Sequence, residues 1–110
     1  MDLRMTGKQV AVFGAARGIG RAIADGFRAE GARVAGFDRD TEPEPLKEAG
    51  DIVSGDVTDC AAVQAFADSF DVVDHMIFSV GAASGKFGFP FWNLGPGDWA
   101  RVIEINLIGA

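Results

Sequence analysis

The chain has 110 residues, room for one domain with a modest core, and 48% of them are apolar, which excludes a disordered chain. Its formal net charge of -6 argues against nucleic acid and against an anionic membrane surface as partners. Cys60 is its single cysteine, so no internal disulfide can form, as in a cytoplasmic protein; no run approaches the roughly 20 apolar residues of a membrane span, and the opening MDLRMTGKQV lacks a signal peptide's apolar centre.

Gln9 precedes a short apolar run, Val10 to Phe13, that reads as a buried strand. A glycine turn follows, Gly14 to Gly20, with Arg17 and Ile19 inside it. Ile19, Ala22, Ile23, Ala24 and Phe27 then recur at helical spacing, with charged residues opposite and Gly31 where a helix stop belongs. Strand, glycine loop and helix N-terminus in this order form an anion site. Free N–H groups and the positive end of the helix dipole converge there, and the glycines admit a pyrophosphate. The alternative is a glycine turn that serves only close helix–sheet packing.

Ala32 to Asp38 reads as a second strand ending in an acid. About 20 residues beyond the glycines is where a carboxylate accepts the adenosine ribose hydroxyls of NAD and repels the 2′-phosphate of NADP. Asp38 also suits a solvated strand end or a helix cap. Arg17 and Arg39 are basic side chains that either welcome a 2′-phosphate or lie in solvent. Residues 40–50 are acidic, with Pro43 and Pro45, and hold at most a helical turn near Leu46 to Ala49. Asp51 to Gly55 reads as a third strand, running into Asp56-Val57 and the capping residues Thr58 and Asp59.

Ala61 to Phe70 reads as a helix with Val63, Phe66, Ala67 and Phe70 buried, and Cys60 before it as a small core residue. A fourth strand is expected over Asp71 to Val80; the sole histidine, His75, has no partner at metal-ligand spacing and reads as structural, so no metal is expected. Ser79, Val80 and Gly81 open a small-residue loop, continued by Phe87, Phe89, Phe91 and Trp92. These aromatics wall a substrate pocket or pack on the core or on an oligomer partner. Gly95-Pro96 starts a last helix whose stripe is Trp99, Val102, Ile103, Asn106 and Leu107; Asn106 on an apolar face needs a hydrogen-bond partner.

Alternating strands and helices predict an α/β, Rossmann-type doubly wound parallel sheet, three layers αβα, strand order 3-2-1-4. The ligand crevice then lies at the carboxyl ends of strands 1 and 4, where Gly14 to Gly20, Asp38, Asp56 and Ser79 to Gly81 converge.

With these residues in place, the chain resembles the classical short-chain dehydrogenases/reductases. Their Thr-Gly-x-x-x-Gly-x-Gly appears as Phe13 to Gly20, with Phe13 at the Thr position. Asp38 ends the second strand. Asp56-Val57 matches the Asp-Val that holds adenine, and Phe78-Ser79-Val80-Gly81 keeps only the glycine of Asn-Asn-Ala-Gly. Asn106 matches the catalytic Asn. The resemblance implies hydride transfer between NAD, with NADP the lesser candidate, and a small alcohol or carbonyl substrate, in a homo-oligomer. It implies a Tyr acid/base, a Lys that lowers its pKa, a Ser that positions substrate, and Asn106 in a proton relay. The chain contains no tyrosine, so it reads as one Rossmann domain over 1–110, an N-terminal piece that ends before the Tyr-x-x-x-Lys. A catalytically inactive dinucleotide-binding or redox-sensing relative, and a methyltransferase-like domain, are the competing readings.

Overall fold

The computed structural model describes residues 1–40, 52–83, 85 and 91–110. In chain order it has β1 (Gln9–Phe13), α1 (Gly18–Ala29), β2 (Arg33–Asp38), β3 (Ile52–Ser54), α2 (Cys60–Asp68), β4 (His75–Phe78) and α3 (Pro96–Ile103). A π turn, Glu104–Ile108, continues α3. The four strands are parallel in the order β3-β2-β1-β4, as the crossovers require. The expected turn at Leu46 to Ala49, and Phe87 and Phe89, lie outside the described residues.

Alternation along each strand builds two cores. Val10, Val12 and Val34 point to the side covered by α1, where Ala24, Ala15 and the half-buried Phe27 and Ile77 meet them. Ala11, Phe13 and Phe37 point to the side covered by α2 through Phe66, with Phe70 and Phe78 at the margin. That second core is a chain of ring contacts. Phe13 lies 5.5 Å from Phe37, 5.4 Å from Phe66 and 6.1 Å from Phe78 by centroids. Edge or tilted pairs of this kind contribute about 0.5–1.5 kcal/mol each beyond their burial. His75 stacks on Phe27 at 6.0 Å, a structural contact.

Several expectations are corrected. In α1 it is Gly20 and Ala24 that are buried, while Ile19 is 75% exposed and Ala22 also faces solvent. The helix presses on the sheet through its smallest residues, which turns Ile19 outward. Ala67 is exposed on α2, and Ala62 packs in its stead, because Phe66 takes the centre of the face. Cys60 is exposed, since it is the first residue of the helix and lies beyond the covered face. Along α3 and the π turn, Trp99, Ile103 and Leu107 are exposed, and of the large apolar residues there only Val102 and Ile105 are half-buried.

The fourth strand is shorter than expected, His75–Phe78. Asp74 explains its start. Its Oδ2 accepts the Gln9 N–H at 2.8 Å and its Oδ1 lies 3.5 Å from Lys8 Nζ, so the side chain occupies the place of a ladder bond. The Gln9 N–H, then the Lys8 charge, hold the Asp74 carboxyl below its ordinary value. A depressed folded-state pKa adds stability that is present above the unfolded value, about 3.9, and is lost as pH falls through the folded value. Asp74→Asn keeps an acceptor for Gln9 but does not titrate. Denaturant titrations at about pH 5 and pH 3 should therefore show a smaller acid-induced loss for the variant than for the wild type. Equal losses would remove Asp74 from the acid response.

Candidate functional site

The carboxyl ends of all four strands face one cleft of about 270 Å³. Gly14 and Arg17 enter it from the β1 loop, Asp38 and Arg39 from β2, Asp56 and Val57 from β3, and Ser79, Val80 and Gly81 from β4. The crossovers put these short loops at the same edge, which is where open α/β sheets hold ligands. Four expected residues do not line it: Gly18, Ile19, Gly20 and Asn106. Gly18 and Ile19 sit in the exposed first turn of α1, and Gly20 is buried beneath it.

The glycine loop is tied down by main-chain bonds and one carboxylate. Gly14 N–H donates to the Phe37 carbonyl at 2.8 Å, and Ser79 N–H to the Phe13 carbonyl at 2.9 Å. Asp38 Oδ2 accepts the Ala16 N–H at 2.9 Å, and its Oδ1 the Asp40 N–H at 3.0 Å. Phe13, where the resemblance has Thr, points away from this loop into the aromatic core, so the ties come from backbone and Asp38. Asp38 is thus a positioning group for the loop as well as a cleft residue.

Arg17 at the head of α1 makes no side-chain cap. Among the described residues no side chain accepts from the first-turn N–H groups, and a Cβ on Gly18 would meet no atom within 4 Å. Open backbone donors at a helix N-terminus suit a diphosphate. Arg17 instead pairs with Asp40 at 3.1 Å, both half-exposed or more, a weak pair in water.

Asp56 closes a tight local turn. Its Oδ1 accepts the Thr58 N–H at 2.9 Å and the Thr58 hydroxyl at 2.7 Å. The Thr58 N–H, the Thr58 hydroxyl and the Arg39 charge hold its carboxyl below the ordinary value, so it is an ionised acceptor. Asn106 finds the partner it needs: its Nδ2 donates to the carbonyls of Ala82 (2.7 Å) and Val102 (2.8 Å), and its Oδ1 accepts Ala82 N–H at 3.2 Å. It clamps the loop after β4 to the π turn, where Gly109 N–H reaches the Glu104 carbonyl at 2.7 Å.

Sequence reasoning missed Asp40, Gly55, Ala82, Arg101 and Ile105, which also line the cleft. Arg101 and Ile105 stand four apart on one helical face, a signal that was present. Gly55 directly precedes the strand-end acid, a position where a missing side chain has meaning.

A short-chain dehydrogenase/reductase model described as enoyl-(acyl carrier protein) reductase matches residues 14–110. The chain belongs to the short-chain dehydrogenase/reductase family. D-threitol dehydrogenase of Mycolicibacterium smegmatis is 38% identical over 98% of this chain and 45% of its own length. A short-chain dehydrogenase/reductase from Burkholderia phymatum, solved in complex with NAD, is 31% identical with TM-score 0.78, over 96% of this chain and 41% of that one. An NADH-dependent reductase solved with NAD is 27% identical with TM-score 0.81, over 99% and 50%. The chain spans about half the length of the curated relatives it matches first (45% and 46%). Family membership sets the methyltransferase reading aside, and the sheet order is that of the family's Rossmann fold. No helix among the described residues is long and apolar enough to cross a membrane.

Proposed function

We propose that the protein carrying this chain is an NAD-dependent oxidoreductase that moves a hydride between the nicotinamide and an alcohol or carbonyl carbon. The observation that carries this is the meeting, in one cleft, of Gly14 and Arg17, which lead into the uncapped N-terminus of α1, with the carboxylates of Asp38 and Asp56. The first-turn N–H groups of α1 hold the diphosphate, with Gly14, Arg17, Gly18, Ile19 and Gly20 shaping its seat. Asp38 accepts the adenosine ribose hydroxyls, and Arg39, Asp56 and Val57 bound the adenine. Ser79, Val80 and Gly81 form the wall towards the nicotinamide side. Asn106 is the catalytic-machinery residue present, fixing the loop beyond β4 through Ala82. The nicotinamide supplies the hydride; the acid/base, its lysine and the substrate-positioning serine belong to sequence beyond these residues. A cytoplasmic homo-oligomer is part of this reading, and exposed Trp99, Ile103 and Leu107 offer apolar area for such contact.

The test is calorimetric binding of NAD and NADP to the full-length protein, followed by turnover with a panel that starts from small polyols. NAD should bind and be reduced; absence of nucleotide binding would end the proposal. Residues 1–110 contain no tyrosine, so expressed alone they are expected to turn over no NADH with any alcohol or ketone. Turnover by that chain would overturn the assignment of the acid/base.

Asp38 should set the nucleotide preference. It and Asp40 place two carboxylates near the 2′ position, and Arg17 is engaged with Asp40. Asp38→Ala should reduce the ratio of NAD to NADP affinity by about 1–3 kcal/mol, or roughly 5–150-fold. The ratio is the readout, because loss of the Ala16 tie weakens both nucleotides together. Tighter NADP binding by the unaltered protein would transfer the 2′ site to Arg17 and Arg39.

A further inference from the structure

Gly55 joins β3 to Asp56 and forms part of the cleft wall. Its N–H donates to the Asp38 carbonyl at 3.0 Å, tying the end of β3 to the end of β2. A Cβ built on Gly55 would fall on the Phe37 ring, 2.6 Å from Cε2 and nearer still to Cζ. The ring occupies the volume that any other side chain at 55 would need. Phe37 is fully buried, and its centroid lies 5.5 Å from Phe13 and 5.2 Å from Phe66. A close-packed aromatic core has no room for it to yield. Any substituent at 55 therefore displaces the Gly55–Asp56 backbone away from the ring. Asp56 moves with it, and among the described residues its carboxylate is hydrogen-bonded through Oδ1 to Thr58, two residues on.

We propose that the Phe37 ring, seated where a side chain at Gly55 would be, is a positioning residue for purine recognition. It holds the Gly55–Asp56 backbone at the depth where the Asp56 carboxylate accepts the exocyclic amine of adenine. Hypoxanthine presents a carbonyl oxygen at that ring position. Two acceptors then face each other, and the site rejects it. This rests on the placement of adenine beside Asp56 proposed above.

The experiment measures dissociation constants of NAD and of nicotinamide hypoxanthine dinucleotide for the full-length protein, with a thermal melt for each variant. The wild type should prefer NAD by about 10-fold or more, the size of one well-placed hydrogen bond. Gly55→Ala should bring that preference to within about threefold of unity. Phe37→Leu alone should lower the preference by about threefold or more, because the ring no longer supports the Gly55–Asp56 backbone, and adding Gly55→Ala, whose methyl group fills the space the ring leaves, should restore part of it. If Gly55→Ala folds only in the Leu background, the clash is established and the preference there decides the rest. Equal binding of both dinucleotides by the wild type, or binding of neither, overturns the placement of adenine and this inference together. A wild-type preference that survives in Gly55→Ala overturns this inference alone. So does one that Gly55→Ala removes equally in both backgrounds.

Discussion

Gly20→Ala should destabilise the protein by about 3 kcal/mol or more, a large share of the roughly 5–15 kcal/mol by which domains are stable. The added Cβ would overlap the Gly14 carbonyl oxygen and lie 2.8 Å from the carbonyl carbon, with Ser79 Cβ at 3.3 Å behind them. Neither neighbour can move freely. Gly14 is bonded through its N–H to Phe37, and Ser79 through its N–H to Phe13. The methyl group would have to lift the first turn of α1 off the sheet, and Ala24, one turn on, would lose its seat among Val10, Val12 and Val34. Urea denaturation of variant and wild type measures this directly. A variant within about 1 kcal/mol of the wild type would mean that helix and loop can separate at little cost.

Gly18→Val should leave the protein folded and reduce NAD affinity by about 100-fold or more, about 2.7 kcal/mol. Gly18 has φ +61, and a Cβ there meets nothing within 4 Å. The backbone conformation costs a β-branched residue about 1–3 kcal/mol, which a stable protein survives. The open volume is the proposed seat of the diphosphate, and the valine methyls would fill it. Calorimetry with NAD, beside a melt, separates the two effects. Cys60→Ala and His75→Gln are the controls, since the first is exposed and the second packs on Phe27, away from the cleft. Full NAD affinity in a folded Gly18→Val would overturn the phosphate-loop assignment. Loss of affinity in Gly18→Val beside loss of stability in Gly20→Ala would show two glycines of one motif serving different ends, Gly20 the packing and Gly18 the ligand.

Much of the site was legible because its signals are local. A strand-end acid, a glycine turn and a helix start are each read within a few residues, and nine of the expected positions do line the cleft. Parts that failed depended on which way a helix is rotated. Ile19 and Ala22 share the helical period of Ile23 and Phe27, and period alone does not say which edge of the stripe touches the sheet. The small radius of Gly20 and Ala24 decided it, by allowing α1 to approach so closely that Ile19 was turned out. Asp74 is a similar case. Nothing in DVVDHMIF says where the strand begins, because the bond that sets it comes from Gln9, far away in the chain.

What the amino-acid sequence determined by itself is the class of fold, the strand order and the set of loops that face the cleft. These follow from alternating periodicities and from crossover handedness, which are properties of short segments and of chain connection. Only the tertiary structure decided what each side chain does there. Asp38 bonds the loop at Ala16, Phe13 turns into a core of rings, and Asn106 clamps Ala82. It also decided why residue 55 is glycine: the ring that excludes a side chain there belongs to Phe37, on a neighbouring strand. Contacts between residues remote in sequence depend on distances that no local pattern encodes, and a close-packed interior leaves them a single arrangement.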